Sequence, residues 1–140
     1  MKRIMGLDVG DKTIGVAVSD PLCITAQGIT TIRRKGINSD LCELATLIEE
    51  YNVFEVVIGL PKNMNNTIGP QGEKVLRFVD KFKNKFSLEV ILQDERLTTV
   101  SAERLLIDAD VSRKKRKDVI DKVAATYILN SYLQIIKKGD

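Results

Sequence analysis

The chain has no histidine. That removes Ser-His-Asp triads, Cys-His pairs, histidine general bases and histidine metal sites in one step. Any catalysis falls to carboxylates, lysines, hydroxyls or oxygen-ligated metals. Cysteine is nearly absent too: Cys23 and Cys42 lie far apart, with no second pair. Such spacing excludes a zinc site and a disulfide framework, and it predicts two small core residues in a reducing compartment. No run approaches the roughly 18 apolar residues of a membrane span, and the N-terminus lacks a signal-peptide pattern. The expected location is the cytoplasm.

What is present suits a globular domain. The 140 residues are 44% hydrophobic and 29% charged. A chain of this length buries a sizeable core by itself, so one domain over residues 1–140 is expected. Net charge is only +3, yet the cations cluster. Arg113, Lys114, Lys115, Arg116 and Lys117 form an unbroken run, and Arg33, Arg34 and Lys35 form a second group. Clusters on a near-neutral chain predict contact with a polyanion at a defined place; the alternative is a solvated loop.

Hydrophobic periodicity divides the chain into elements. Residues 2–9 read as a strand, Gly10-Asp11-Lys12 as a turn, and Ile14 to Val18 as a second strand. A third strand is expected from about Thr25 to Arg33. Leu41, Leu44, Ile48 and Tyr51 then follow helical spacing, with Asp40 and Glu43 placed as a capping box. Phe54 to Leu60 is a short run, apolar but for Glu55, that reads as a buried parallel strand. Pro61 to Gly69 reads as a loop. Pro70 opens a helix whose stripe is Val75, Phe78, Val79 and Phe82. Leu88 to Gln93 reads as another buried strand. Thr98 or Thr99 caps a helix reaching about Asp108, and a last helix spans roughly Lys117 to Lys137. The order β-β-β-α-β-α-β-α-α predicts a mixed sheet, its first three strands antiparallel, with helices on both faces. This arrangement matches the ribonuclease H-like fold, though pattern alone leaves other α/β folds open.

Within this frame the acids stand out. Asp8 lies between Leu7 and Val9 in "GLDVG", a costly place for a carboxylate without a partner. Asp94 and Glu95 end the fifth strand. Asp121 shares a helix face with Ala124, Ala125 and Ile128, which should pack inward. Carboxyl ends of parallel strands form the functional edge of such sheets. Acids gathered there repel one another unless a cation sits among them. Oxygen ligands without His or Cys select Mg²⁺ or Mn²⁺. Two such ions, roughly 3.5–4 Å apart, activate a water and stabilise the leaving oxygen of a phosphodiester. Taken singly, Asp8 also reads as a turn-capping aspartate, and Asp121 as an ordinary helix aspartate.

Four motifs carry a resemblance: "GLDVGDKTIGVAVSD", "VVIGLPKNMNNT", "QDERLTT" and "IDKVAATYIL". In order and spacing they resemble the YqgF-type family of Holliday-junction resolvases, a family also described as the nuclease that matures the 5′ end of precursor 16S rRNA. The match covers nearly the whole chain. It implies a metal-dependent nuclease of ribonuclease H-like fold, with Asp8, Glu95 and Asp121 as catalytic and metal-binding acids. Asp94 and Asp118 are the neighbouring alternatives. The family usually has glycine where this chain has Asn66, a residue that tolerates left-handed backbone. Asn63 and Asn65 in that loop either contact substrate or only form the turn. Lys12 and Arg96 either hold a phosphate or balance the acids' charge, the balancing role being favoured for Arg96. The run from Arg113 to Lys117 is expected to hold the flanking nucleic-acid backbone.

Other functional classes compete. The first motif also resembles the phosphate loop of actin-like ATPases, but those need two such domains around ATP, and no Gly-Lys-Ser/Thr motif occurs. A non-catalytic nucleic-acid-binding factor is the third reading. The sequence leaves open RNA against branched DNA, and endonuclease against exonuclease. Symmetric cutting of a junction would want a homodimer.

Overall fold

A computed structural model describes residues 2–62, 67–94 and 113–138, with side chains of the last segment described from 122 to 136. Among the described residues eight elements follow in order: β1 (Arg3–Val9), β2 (Thr13–Ser19), β3 (Ala26–Arg33), α1 (Ile37–Glu50), β4 (Val53–Leu60), α2 (Pro70–Lys85), β5 (Glu89–Asp94) and α3 (Arg113–Lys138). The expected helix ending near Asp108 lies outside the described residues. The strands form one sheet in the order β3-β2-β1-β4-β5. β1 pairs antiparallel with β2, and β2 with β3, while β1–β4 and β4–β5 are parallel. This is the mixed sheet that the element order predicts.

Strand alternation sends side chains to two separate cores. Met5, Leu7 and Val9 join Ile14, Val16, Val18, Val56 and Ile58 on the face covered by α1 and α2. Ile4, Ala17 and Val57 pack with Ala125, Ile128, Leu129 and Leu133 on the α3 face. The α2 stripe of Val75, Phe78, Val79 and Phe82 is buried as its spacing predicts.

Four expectations need correction. α1 starts at Ile37, one turn before the capping box. Gly36, at φ +152, takes a backbone that L side chains rarely adopt, and its carbonyl accepts the Asp40 N–H at 2.9 Å. Asp40 is therefore inside the helix, where it is buried. Second, α3 begins at Arg113, so the basic run lies on helical backbone rather than in a loop. Third, β5 ends the strand order and is only half-buried, with Leu92 exposed. Phe54 is likewise exposed at the start of β4. Fourth, Cys42 is exposed beside the apolar stripe of α1, and Cys23 is half-buried; both are free thiols. Among the described residues no helix is long and apolar enough to cross a membrane.

Candidate functional site

Asp8 is the next-to-last residue of β1, and its side chain is half-buried. It alternates with Leu7 and Val9 and shares a face with Ile4 and Gly6, the face that α3 covers. Its partner across β2 is Gly15, which brings no side chain beside the carboxylate. Beyond Val9 the chain turns. The Gly10 N–H donates to the Thr13 carbonyl at 2.8 Å and closes the hairpin. Lys12 sits exposed in this turn.

The helix α3 runs antiparallel to β1. A Cβ on Gly6 would meet Leu129 Cβ at 2.8 Å and the Ala125 carbonyl at 3.0 Å. Gly28 of β3 faces Lys122 and Thr126. Further along, Asn130 Oδ1 accepts the Ala26 N–H at 3.2 Å, at the first residue of β3. Tyr132 donates its hydroxyl to Glu55 near the start of β4. Increasing helix number thus descends toward the amino ends of β1, β3 and β4. Asp121 lies one helical turn before Ala125, about 5.4 Å toward the carboxyl edge. Asp8 lies two residues past Gly6, about 6.6 Å in the same direction. Both positions come to one end of one face. Ala124, Ala125 and Ile128 are buried, as the helix spacing predicts.

Asp94 ends β5 and pairs with Leu60, so it stands at the same edge. Its alternation matches Val90, which packs on the α1/α2 core, whereas Ile91 packs on the α3 core. Asp94 therefore belongs to the face opposite Asp8. Glu95, Arg96, Asn63 and Asn65 lie outside the described residues. Arg113, Lys114, Lys115, Arg116 and Lys117 occupy the first turns of α3, as does Asp118. Among the described residues no group of three or more His, Cys, Asp or Glu is placed to hold a metal ion.

The second basic group has a different use from the one its sequence suggests. Arg34 Nε donates to Asp40 Oδ2 at 2.9 Å, and its Nη1 donates to the Gly10 carbonyl at 2.9 Å. Asp40 Oδ1 also accepts the Lys35 N–H at 3.1 Å. The guanidinium carbon stands 5.7 Å from the centroid of the Phe78 ring. Arg34 is a brace that holds the turn after Asp8's strand. Only its mid-distance partner Asp40 hints at this in the sequence. On the α3 face, burial and the Glu55 carboxylate push the Tyr132 hydroxyl up to about 12.

The model of the RuvX family, described as Holliday junction resolvase, matches residues 2–135. The chain belongs to the RuvX family. Its relatives include a Clostridium botulinum protein named "Putative pre-16S rRNA nuclease", 58% identical over 136 residues, spanning 97% of this chain and 99% of that one. A Desulforamulus reducens protein of the same name is 62% identical over 131 residues, 94% of this chain and 96% of the relative. Among solved structures, Thermus thermophilus RuvC in complex with a Holliday junction substrate has a TM-score of 0.61 at 10% identity, covering 98% of this chain and 96% of that chain. The Fowlpox virus resolvase bound to Holliday junction DNA has a TM-score of 0.53 at 15% identity, covering 96% and 98%. At these identities the likeness shows a shared fold, the ribonuclease H-like fold of the resolvases.

Proposed function

We propose that this RuvX chain is a divalent-metal-dependent nuclease that hydrolyses phosphodiester bonds in the 5′-end maturation of precursor 16S rRNA. It works as one domain over residues 1–140 in the cytoplasm. What supports this reading is the packing of α3 on Gly6 through Ala125 and Leu129, which carries the helical turn before Ala125 toward the end of β1 that bears Asp8, in a chain matching pre-16S rRNA nucleases over nearly its full length. Glu95 is the third acid. The opposite facing of Asp94 supports that choice.

The donor set fits Mg²⁺ or Mn²⁺. It consists of carboxylate oxygens, in a chain that has no histidine to compete. When bound, a pair of such ions supplies the Lewis acidity that phosphodiester hydrolysis needs. The chain's own groups do the rest. Asp8 and Asp121 are carried on elements locked together by close backbone packing, so their separation is held fixed. Lys12, in the turn beyond Asp8, approaches a neighbouring phosphate. Arg113, Lys114, Lys115, Arg116 and Lys117 hold the flanking backbone, with Asn63, Asn65 and Arg96 as further contacts. A second reading, branched-DNA resolution by a homodimer, draws on the description of the family.

The test uses purified protein with Mn²⁺, a precursor 16S rRNA fragment and a four-way DNA junction as competing substrates. Metal-dependent shortening of the RNA 5′ end is expected. Activity that survives excess EDTA overturns the metal role. Cleavage confined to the junction transfers the function to the second reading.

A further inference from the structure

The carboxyl edge of the sheet carries a concavity on the face away from Asp8. It is a cavity of about 290 Å³, at the lower bound of the roughly 300–1,000 Å³ common in small-ligand sites. Val9, Ile37 and Phe78 give it apolar walls. Arg34, Lys74, Arg77 and Lys81 bring four cations to it, against a single lining carboxylate, Asp11.

The cations are arranged by the fold. Lys74, Arg77 and Lys81 recur on one side of α2, next to its buried stripe. Arg34 enters from the end of β3, held by the buried Asp40 and the Gly10 carbonyl through Nε and Nη1. No hydrogen bond to Nη2 occurs among the described residues. Lys74 reaches Asp11 at 3.1 Å, but both side chains are more than half exposed, so that pair is weak and exchangeable. Arg77 and Lys81 form no ion pair among the described residues. Converging like charges raise the free energy of the empty cavity and favour an anion within it. An arginine fixed by a buried carboxylate needs little further ordering to receive a phosphate.

We propose that this cavity binds a nucleotide phosphate, with the nucleoside against the half-buried Ile37. The phosphate belongs to a free mononucleotide or to the flank of a polynucleotide. The site stands on the sheet face opposite the acids and does not depend on their chemistry.

Binding is measured by calorimetry and amide NMR on Asp8→Asn protein in EDTA, so that cleavage plays no part. The probes are 5′-AMP and an RNA of about twelve nucleotides. Binding should shift the amides of Gly10, Gln71 and Lys74. Arg77→Gln with Lys81→Gln should weaken it by about tenfold or more, because charged hydrogen bonds are lost. Lys83→Gln with Lys85→Gln removes equal charge from the same helix outside the cavity, and should change it less than about twofold. Response to 5′-AMP assigns the free nucleotide; response to RNA alone assigns the flank. Silence of both probes overturns the proposal. So does equal weakening in the two double variants, since that marks general charge attraction.

Discussion

Gly6 and Leu129 are in such close approach that a Cβ on the glycine would lie 2.8 Å from the leucine Cβ. The contact cannot be relieved by a rotamer change, because the clashing atoms are a Cβ and the Ala125 backbone carbonyl. Gly6→Ala should therefore lift α3 from β1. Overpacking of this kind costs about 1–3 kcal/mol. Melting temperature should fall, and RNA cleavage should fall further than stability alone explains, as the Asp121 turn moves away from Asp8. Unchanged melting would show that the helix is not pinned at this point.

Asp8→Asn keeps the shape of the side chain and removes its charge. Cleavage should drop to background in Mn²⁺ while the fold persists. Asp121→Asn and Glu95→Gln should do the same, and pairs of these changes should be no worse than one, because the acids act as a unit. Cleavage rates and melting temperatures with and without Mn²⁺ provide the check. A fully active Asp8→Asn protein returns this residue to turn capping.

Asp40→Ala would leave Arg34, 23% exposed, without the carboxylate that is itself only 1% exposed. Breaking a buried pair from one side costs about 3–5 kcal/mol, and the partial exposure of Arg34 reduces this to roughly 2–3 kcal/mol. Urea unfolding measures the loss. Restoration of stability by Arg34→Met in the same chain would identify the stranded cation as its cause.

Tyr132 gives the protein an alkaline limit. Its hydroxyl titrates near 10.0 when unfolded and is pushed up to about 12 by burial first and by the Glu55 carboxylate second. Between these values the unfolded chain releases a proton that the folded chain retains, so stability falls as pH rises. Below about pH 10 the contribution is intact. Tyr132→Phe should be less stable at pH 8, because Glu55 loses a donor, and should show a shallower decline between pH 10 and 12. Parallel urea curves for the two proteins across that interval would refute this origin.

The basic run begins a helix, so its charges oppose the macrodipole. Neutralising Arg113, Lys114, Lys115 and Arg116 with glutamine should weaken RNA binding and flatten its salt dependence. Stability should hold or rise by a few tenths of a kcal/mol, since the dipole repulsion is relieved. An unaltered salt slope would exclude these residues from the interface.

Much of this arrangement is legible in the sequence, because periodicity reports which residues face a core. The switch from period two to 3.6 marks β1 through α2, and the stripe Ala124, Ala125, Ile128 marks the inward face of α3. What periodicity misses depends on partners outside the element itself or on position in the sheet. Asp40 resembles a cap because its actual partner, Arg34, comes from the preceding strand end. β5 reads as buried because its composition does not reveal that it ends the strand order. The start of α3 is obscured because five adjacent cations are a poor beginning for a helix. For the acids, alternation separates Asp94 from Asp8 once the register of β5 is known, a distinction that spacing alone does not supply.

The two faces of the sheet should differ in their freedom to vary. The α1/α2 side is a broad aliphatic and aromatic cluster, where one large side chain can replace another of similar volume. On the α3 side the helix sits directly on Gly6 and Gly28, beside Ala17 and Ala125, and at those contacts there is no room for a larger side chain. Sequence drift across relatives should accumulate on the first side and be nearly frozen on the second. The helix carrying Asp121 would then keep its seat while the rest of the core is rebuilt around it.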